Sequence, residues 1–252
     1  RMACGMCATP GPRGGAVKTK ALGTPGGRQD NEHFIASDFS PTMCQLLGMN
    51  CAEPTDVTFS FTGFAARGGV TDHHADGFGV AFFEDKACRL FIDNQSAGTS
   101  PVAELVKRYP IKSKNVISHI RKATQGTVRL ENCHPFVREL WGRYWVFAHN
   151  GDLKDFSPRL HGSFRPVGTT DSERAFCWIM QELAKSHAGV PSVGELTLTL
   201  RELAAQIAPH GTFNFLLGNG QALWAHASTS LYYVERKRVF ALDVIQAGRG
   251  MG

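Results

Sequence analysis

Seven cysteines lie along the 252 residues, at positions 4, 7, 44, 51, 88, 133 and 177. A thiol attacks only when a base or a lowered pKa makes it a thiolate, so each must be weighed by its surroundings. An odd number at irregular spacings is no disulfide framework, and reduced thiols fit better. Cys4-Gly-Met-Cys7 is an isolated CxxC with no second pair or histidine cluster at zinc-ligand spacing, and it is read as accidental. Cys44, taken alone, reads as the buried structural thiol that most free cysteines are. Other reactive types follow it. Arg121 ends an apolar run, where its guanidinium fork matches a carboxylate, although a surface ion pair is the plainer reading. Asn150-Gly151 follows another apolar run and would turn its donors back across a site, yet Asn-Gly is also the commonest hairpin turn. Asp171 falls in the first turn of a helix, where a carboxylate is favoured by the dipole whatever else it does. His73-His74 invites a metal reading, but adjacent side chains point apart.

These residues sit in five short segments: Met43-Cys44-Gln45-Leu46-Leu47-Gly48, Asp76-Gly77-Phe78-Gly79, His119-Ile120-Arg121-Lys122-Ala123-Thr124, Ala148-His149-Asn150-Gly151 and Gly168-Thr169-Thr170-Asp171-Ser172-Glu173. A sixth, Asn132-Cys133-His134-Pro135-Phe136, accompanies them. In order and spacing the set resembles the class II glutamine amidotransferases, most closely their stand-alone YafJ-like branch, over roughly residues 43 to 240. The resemblance implies an α+β fold, the four-layer αββα sandwich of N-terminal-nucleophile hydrolases with antiparallel sheets. It implies that Cys44 is the nucleophile and acts as residue one, its own α-amine serving as base. Such an amine titrates near ~8, close to working pH.

By the same resemblance the Asn150 amide and the Gly151 N–H form an oxyanion hole, and Arg121, Thr124 and Asp171 bind the substrate. Arg121 would take the α-carboxylate and Asp171 the α-ammonium. Glutamine would then go to glutamate and ammonia through a γ-glutamyl thioester on Cys44, with no metal or organic cofactor. Asp76-Gly77-Phe78-Gly79 reads as a tight turn shaping the pocket wall, and His119, His134 and His149 as structural. Lys122 and Gln125 stand where amidotransferases fused to sugar-phosphate synthases carry Trp and His, so that coupling is not carried over. Two other readings stay open: hydrolysis of another γ-glutamyl amide, and a non-catalytic ligand-binding module if Cys44 is never N-terminal. A separate ammonia-accepting synthase is the expected protein partner if ammonia is handed on.

The elements needed to position this chemistry are legible in part. Phe78 to Glu84 and Ala87 to Asp93 are apolar, β-leaning runs joined by a short polar turn, and so read as a hairpin. Val57, Phe61 and Phe64 have helical spacing ended by Gly68-Gly69. Ser100-Pro101 opens a short helix that ends at Tyr109-Pro110. Thr170 to Glu173 and Ser192 to Glu195 have capping-box form. Behind them lie the stripes Ala175, Phe176, Ile179, Met180, Leu183 and Leu196, Leu200, Leu203, Ile207. Strands are expected at 115–121, 144–149, 213–217, 221–227, 231–234 and 238–243, with Gly218-Asn219-Gly220 as a hairpin connector.

Composition bounds the rest. A net charge of +5 with scattered basic residues gives no nucleic-acid footprint. No apolar run nears the ~18 residues that cross a bilayer, and no secretory signal precedes the domain, so a cytoplasmic protein is expected. Residues 1–42 are rich in Gly, Pro, Thr and Ala without apolar period, and read as a disordered leader, a propeptide or upstream sequence. The domain proper is expected at 43–252, truncated at its C-terminus.

Overall fold

A strand that is apolar on both faces must be covered on both, so sheets of such strands stack on each other and on helices. The structure, a computed structural model, describes residues 20–22, 32–37, 44–66, 68, 76–122, 128–229 and 231–236. Their order is β1 (Lys20–Leu22), β2 (Glu32–Ser37), β3 (Gln45–Asp56), α1 (Thr58–Ala65), β4 (Phe78–Glu84), β5 (Ala87–Asp93), α2 (Pro101–Arg108) and β6 (Lys112–Ile120). There follow β7 (Phe136–Leu140), β8 (Arg143–Leu153), α3 (Asp171–Ser186), α4 (Val193–Ile207), β9 (Gly211–Gly218), β10 (Leu223–His226) and β11 (Leu231–Arg236).

Two antiparallel sheets result, one ordered β1-β10-β9-β8-β7 and the other β11-β2-β3-β6-β4-β5. Three apolar clusters stack them into four layers. Leu46, Ala81, Ile117, Val146, Ala148 and Leu216 fill the space between the sheets. Phe147, Phe213 and Phe215 of the first sheet pack on Phe176, Met180, Leu200 and Ile207 of α3 and α4. Met49, Phe78 and Val116 of the second pack on Phe61, Phe64, Ala103 and Val106 of α1 and α2. This is the expected αββα sandwich. Trp145 and Trp224, both fully buried, stack with centroids 5.9 Å apart. Truncating either to Ala would cost ~3–5 kcal/mol.

The helix starts obey their sequences with one exception. Ser192 and Glu195 form the full reciprocal capping box. Thr170 accepts from Glu173 N–H, but the Glu173 carboxylate turns away to Arg138 and to the Val167 and Gly168 N–H groups. Half of the expected box is therefore missing. Asn150-Gly151 is not a turn: β8 runs on to Leu153, pairing Asn150 with Asn214 and Gly151 with Phe213. The apolar run simply continues in the ladder beyond its last large residue. Part of the segment expected to be unstructured also enters the sheets. β1 pairs with β10, and β2 lies between β3 and β11. Backbone hydrogen bonding to an open sheet edge needs no apolar pattern in the added strand. The strand expected at 238–243 lies outside the described residues.

Candidate active site

β3 and β6 run side by side with Gln45 opposite Ile120 and Leu46 opposite His119. That register sets Cys44, at the head of β3, beside Arg121, at the tail of β6. Leu46 faces the space between the sheets, and side chains two apart share a face, so Cys44 faces the same way. Its sulfur accepts a hydrogen bond from Lys122 N–H and donates its own proton to the Lys122 carbonyl, both at 3.2 Å. Burial pushes the thiol above its ordinary pKa, and the Lys122 N–H and the Arg121 guanidinium only partly oppose this. A thiol so placed stays protonated at neutral pH and needs a base to attack.

Arg121 is buried, 3 % exposed, which removes the surface ion-pair reading. Its N–H donates to the Gly77 carbonyl at 2.8 Å, its carbonyl accepts from Asp76 N–H at 3.3 Å, and its Nη1 lies 3.5 Å from the Asp76 carbonyl. The Asp76-Gly77 segment thus holds the arginine by backbone. Gly77 has a φ of 114°, and a Cβ there would lie 2.6 Å from Cys133 Sγ. Only glycine suits both demands. Thr124 falls in 123–127, outside the described residues, as do Met43, His73, His74 and Gln125.

The other sheet supplies the facing wall. Val146 and Ala148 point between the sheets, and Asn150, two residues further, shares that face and is buried. N–H groups alternate between the two edges of a strand. Lys154 N–H bonds the His210 carbonyl, on the β9 side, whereas Leu153 N–H bonds Asp171 Oδ2 at 2.8 Å. Gly151 N–H therefore points off the same edge as Leu153 N–H. β7 covers that edge only up to Phe136, opposite Phe147. A Cβ on Gly151 would run into the Thr212 carbonyl oxygen and come within 2.6 Å of His149 Nε2.

Asp171 is the first residue of α3 and reaches back to β8 through that Leu153 bond, so the carboxylate and the Asn150-Gly151 strand form one unit. The structure also brings in residues whose importance the motifs did not reveal. Asn132 accepts from Thr169 N–H at 2.8 Å. Glu173, 2 % exposed, pairs with Arg138 at 2.5 Å and accepts from Gly168 N–H at 2.7 Å. Together they fix the backbone that leads into Asp171. The one sequence signal was that both lie in the short segments already singled out. Among the described residues no group of three or more His, Cys, Asp or Glu side chains is arranged to hold a metal ion.

Cys44 and the buried Arg121 thus end neighbouring strands of one sheet, and the Asn150-Gly151 strand with the Asp171 carboxylate bonded to it belongs to the other, on a sandwich of the N-terminal-nucleophile type. Comparison with known proteins agrees. The pattern of the family described as glutamine amidotransferases class-II matches residues 43–246, and the chain belongs to that family. A Haemophilus influenzae protein provisionally named a glutamine amidotransferase is 51% identical over 211 residues, 84% of this chain and 72% of the relative. The Escherichia coli protein YafJ, named in the same provisional way, is 47% identical over 204 residues, 81% of this chain and 80% of the relative. The crystal structure of a predicted glutamine amidotransferase from Pseudomonas aeruginosa PA01 superposes with a TM-score of 0.52 at 34% identity, covering 83% of this chain and 90% of that one.

Proposed function

We propose that the chain hydrolyses the side-chain amide of glutamine through a γ-glutamyl thioester on Cys44. The thiol passes its proton to a base and attacks the amide carbon. The charge that appears on oxygen is met by the Asn150 amide and the Gly151 N–H, donors of a kind worth ~3 kcal/mol each. The intermediate collapses with proton return to nitrogen, ammonia leaves, and water cleaves the thioester to glutamate and free thiol. Arg121 takes the α-carboxylate and Asp171 the α-ammonium, with Thr124 completing the substrate contacts. What supports this reading is that Cys44 and buried Arg121 end adjacent strands, that Leu46 beside them packs with Val146 and Ala148 of β8, and that the same strand runs on to Gly151 and is bonded to Asp171.

The base is the point of strain in the scheme. Burial raises the Cys44 thiol, and in the full chain the nitrogen of Cys44 is an amide, which cannot take its proton. We therefore take the working form to begin at Cys44, freed by removal of a leader or by translation from Met43. Its α-amine then serves as base. Expressing chains that begin at Arg1 and at Cys44 and comparing N-terminal sequence, mass and glutaminase rate tests this. Full activity in a chain that keeps residues 1–43 would sink it.

A second reading has its own support. Arg121 and Asp171 address only the amino-acid end of the substrate, so another γ-glutamyl amide would satisfy the same clamp. Rates across a panel of γ-glutamyl amides decide between the two. Ammonia release to a separate synthase is the corresponding partner reading, for a protein working in the cytoplasm. Among the described residues no helix is long and apolar enough to cross a membrane.

A further inference from the structure

The imidazole of His149 lies under the N-terminus of α3 with both nitrogens engaged. Nε2 is 3.0 Å from the Thr212 carbonyl oxygen, and Nδ1 is 2.8 Å from the Ser172 hydroxyl. A carbonyl oxygen only accepts, so Nε2 carries the hydrogen. Burial holds the ring neutral, lowering its pKa against the opposing charges of Asp171 and Asp152. Around it stand Ser172 and Asp171 from α3, Thr212 and the Phe213 ring from β9, Asp152 on its own strand, and His134 within electrostatic reach.

A neutral ring with its hydrogen on Nε2 can only accept at Nδ1, so Ser172 must donate its one proton there. The same hydroxyl oxygen lies 3.4 Å from Asp171 Oδ1 and, with its proton committed, has none to give it. Oδ2 is already taken by Leu153 N–H. Oδ1 is thus the carboxylate oxygen with open lone pairs, on a partly exposed side chain.

We infer that His149 is a positioning residue for the substrate's ammonium group, acting through Ser172: by accepting the Ser172 proton it keeps Asp171 Oδ1 open as an acceptor. The inference rests on the proposed roles of Cys44 and Asp171. Without an acceptor at position 149, the hydroxyl turns its proton to Oδ1 and competes with the incoming ammonium.

The test uses protein beginning at Cys44. Alkylation of Cys44 by an electrophilic diazoketone analogue of glutamine checks the site itself, and its absence in the unaltered protein overturns the function and this inference together. Given alkylation, His149→Phe is expected to raise KM for glutamine about tenfold, equivalent to ~1.4 kcal/mol, with a smaller change in kcat. Adding Ser172→Ala is expected to bring KM back to within about threefold of the original, a non-additive rescue that lost packing would not give. An unchanged KM in the single variant, or no rescue in the double, overturns the inference while leaving the function standing. Should His149→Phe not fold, 15N shifts of the His149 ring in the unaltered protein decide. A hydrogen on Nε2 supports the inference, and one on Nδ1 overturns it.

Discussion

Arg121 is fixed by its backbone before its side chain does anything: the Gly77 carbonyl takes its N–H and the Asp76 N–H takes its carbonyl. A lysine there would keep the charge and that backbone but lose the fork. Arg121→Lys is expected to raise KM for glutamine at least tenfold while lowering kcat less, and steady-state kinetics on protein beginning at Cys44 reads the split. Cys44→Ser in that form should lose nearly all turnover and keep its melting temperature, because serine is almost isosteric but far less nucleophilic. Gly151→Ala should instead fail at the level of folding. Its Cβ would meet the Thr212 carbonyl across the β8–β9 ladder, so a loss of roughly 2 kcal/mol or more in chemical denaturation is expected. At this scale the sequence disclosed residue types well and geometry poorly. Cys44, Arg121, Asn150 and Asp171 stood out by type and company. That Ser172 hands its proton to His149 depends on α3 crossing β8, which no local spacing encodes.

The Arg138–Glu173 pair acts on a whole connection rather than on one group. Glu173 collects Arg138 and the Val167 and Gly168 N–H groups, while Asn132 holds Thr169, so the approach to α3 is tied to β7 and to the turn before it. Removing one partner of a buried pair leaves an uncompensated charge, typically ~3–5 kcal/mol. In Arg138→Met the buried Glu173 would keep its Val167 and Gly168 N–H donors, so the cost should be less, about 2–3 kcal/mol. It should also raise KM for glutamine, because Asp171 follows directly on the tied segment; thermal denaturation and kinetics check the two effects. The same pair explains an error of reading. Thr170 to Glu173 has capping-box form, but Glu173 found a cation about 35 residues back in the chain, and a distant charge outcompetes a local N–H. The β4–β5 hairpin was legible to the residue because both strands and the turn are contiguous. β3 was not, since Gly48, Asn50 and Pro54 interrupt its alternation and its ladder with β6 slips between Asn50 and Thr55.

Among the described residues, three buried histidines are pushed toward the neutral form. Burial lowers His134 well below its ordinary value, lowers His149, and brings His226 down to about 4. Each takes up a proton more readily unfolded than folded, so the stability they allow is complete above about pH 6.5 and is lost as pH falls toward 4. One unit of such a shift is ~1.4 kcal/mol. His226 alone would lower the melting temperature by roughly 5–10 °C between pH 7 and pH 4.5, and the other two rings act in the same direction. A flat profile would mean that these rings accept protons without opening the fold.

The placement of β2 bears on what processing would leave behind. It is hydrogen-bonded to β3 on one side, from Glu32 opposite Cys51 to Ala36 opposite Leu47, and to β11 on the other. The bond between Met43 and Cys44 lies in the connection between two arms of this hairpin. Hydrolysis there nicks the connection without removing an arm. If Cys44 is freed by such cleavage and not by translation from Met43, the shorter piece would stay as a strand donated in trans, and native mass spectrometry of the cleaved protein should find the two together at one-to-one stoichiometry. After separation, adding the shorter piece back should raise the melting temperature of the longer one, with a dependence on peptide concentration that an uncut chain cannot show.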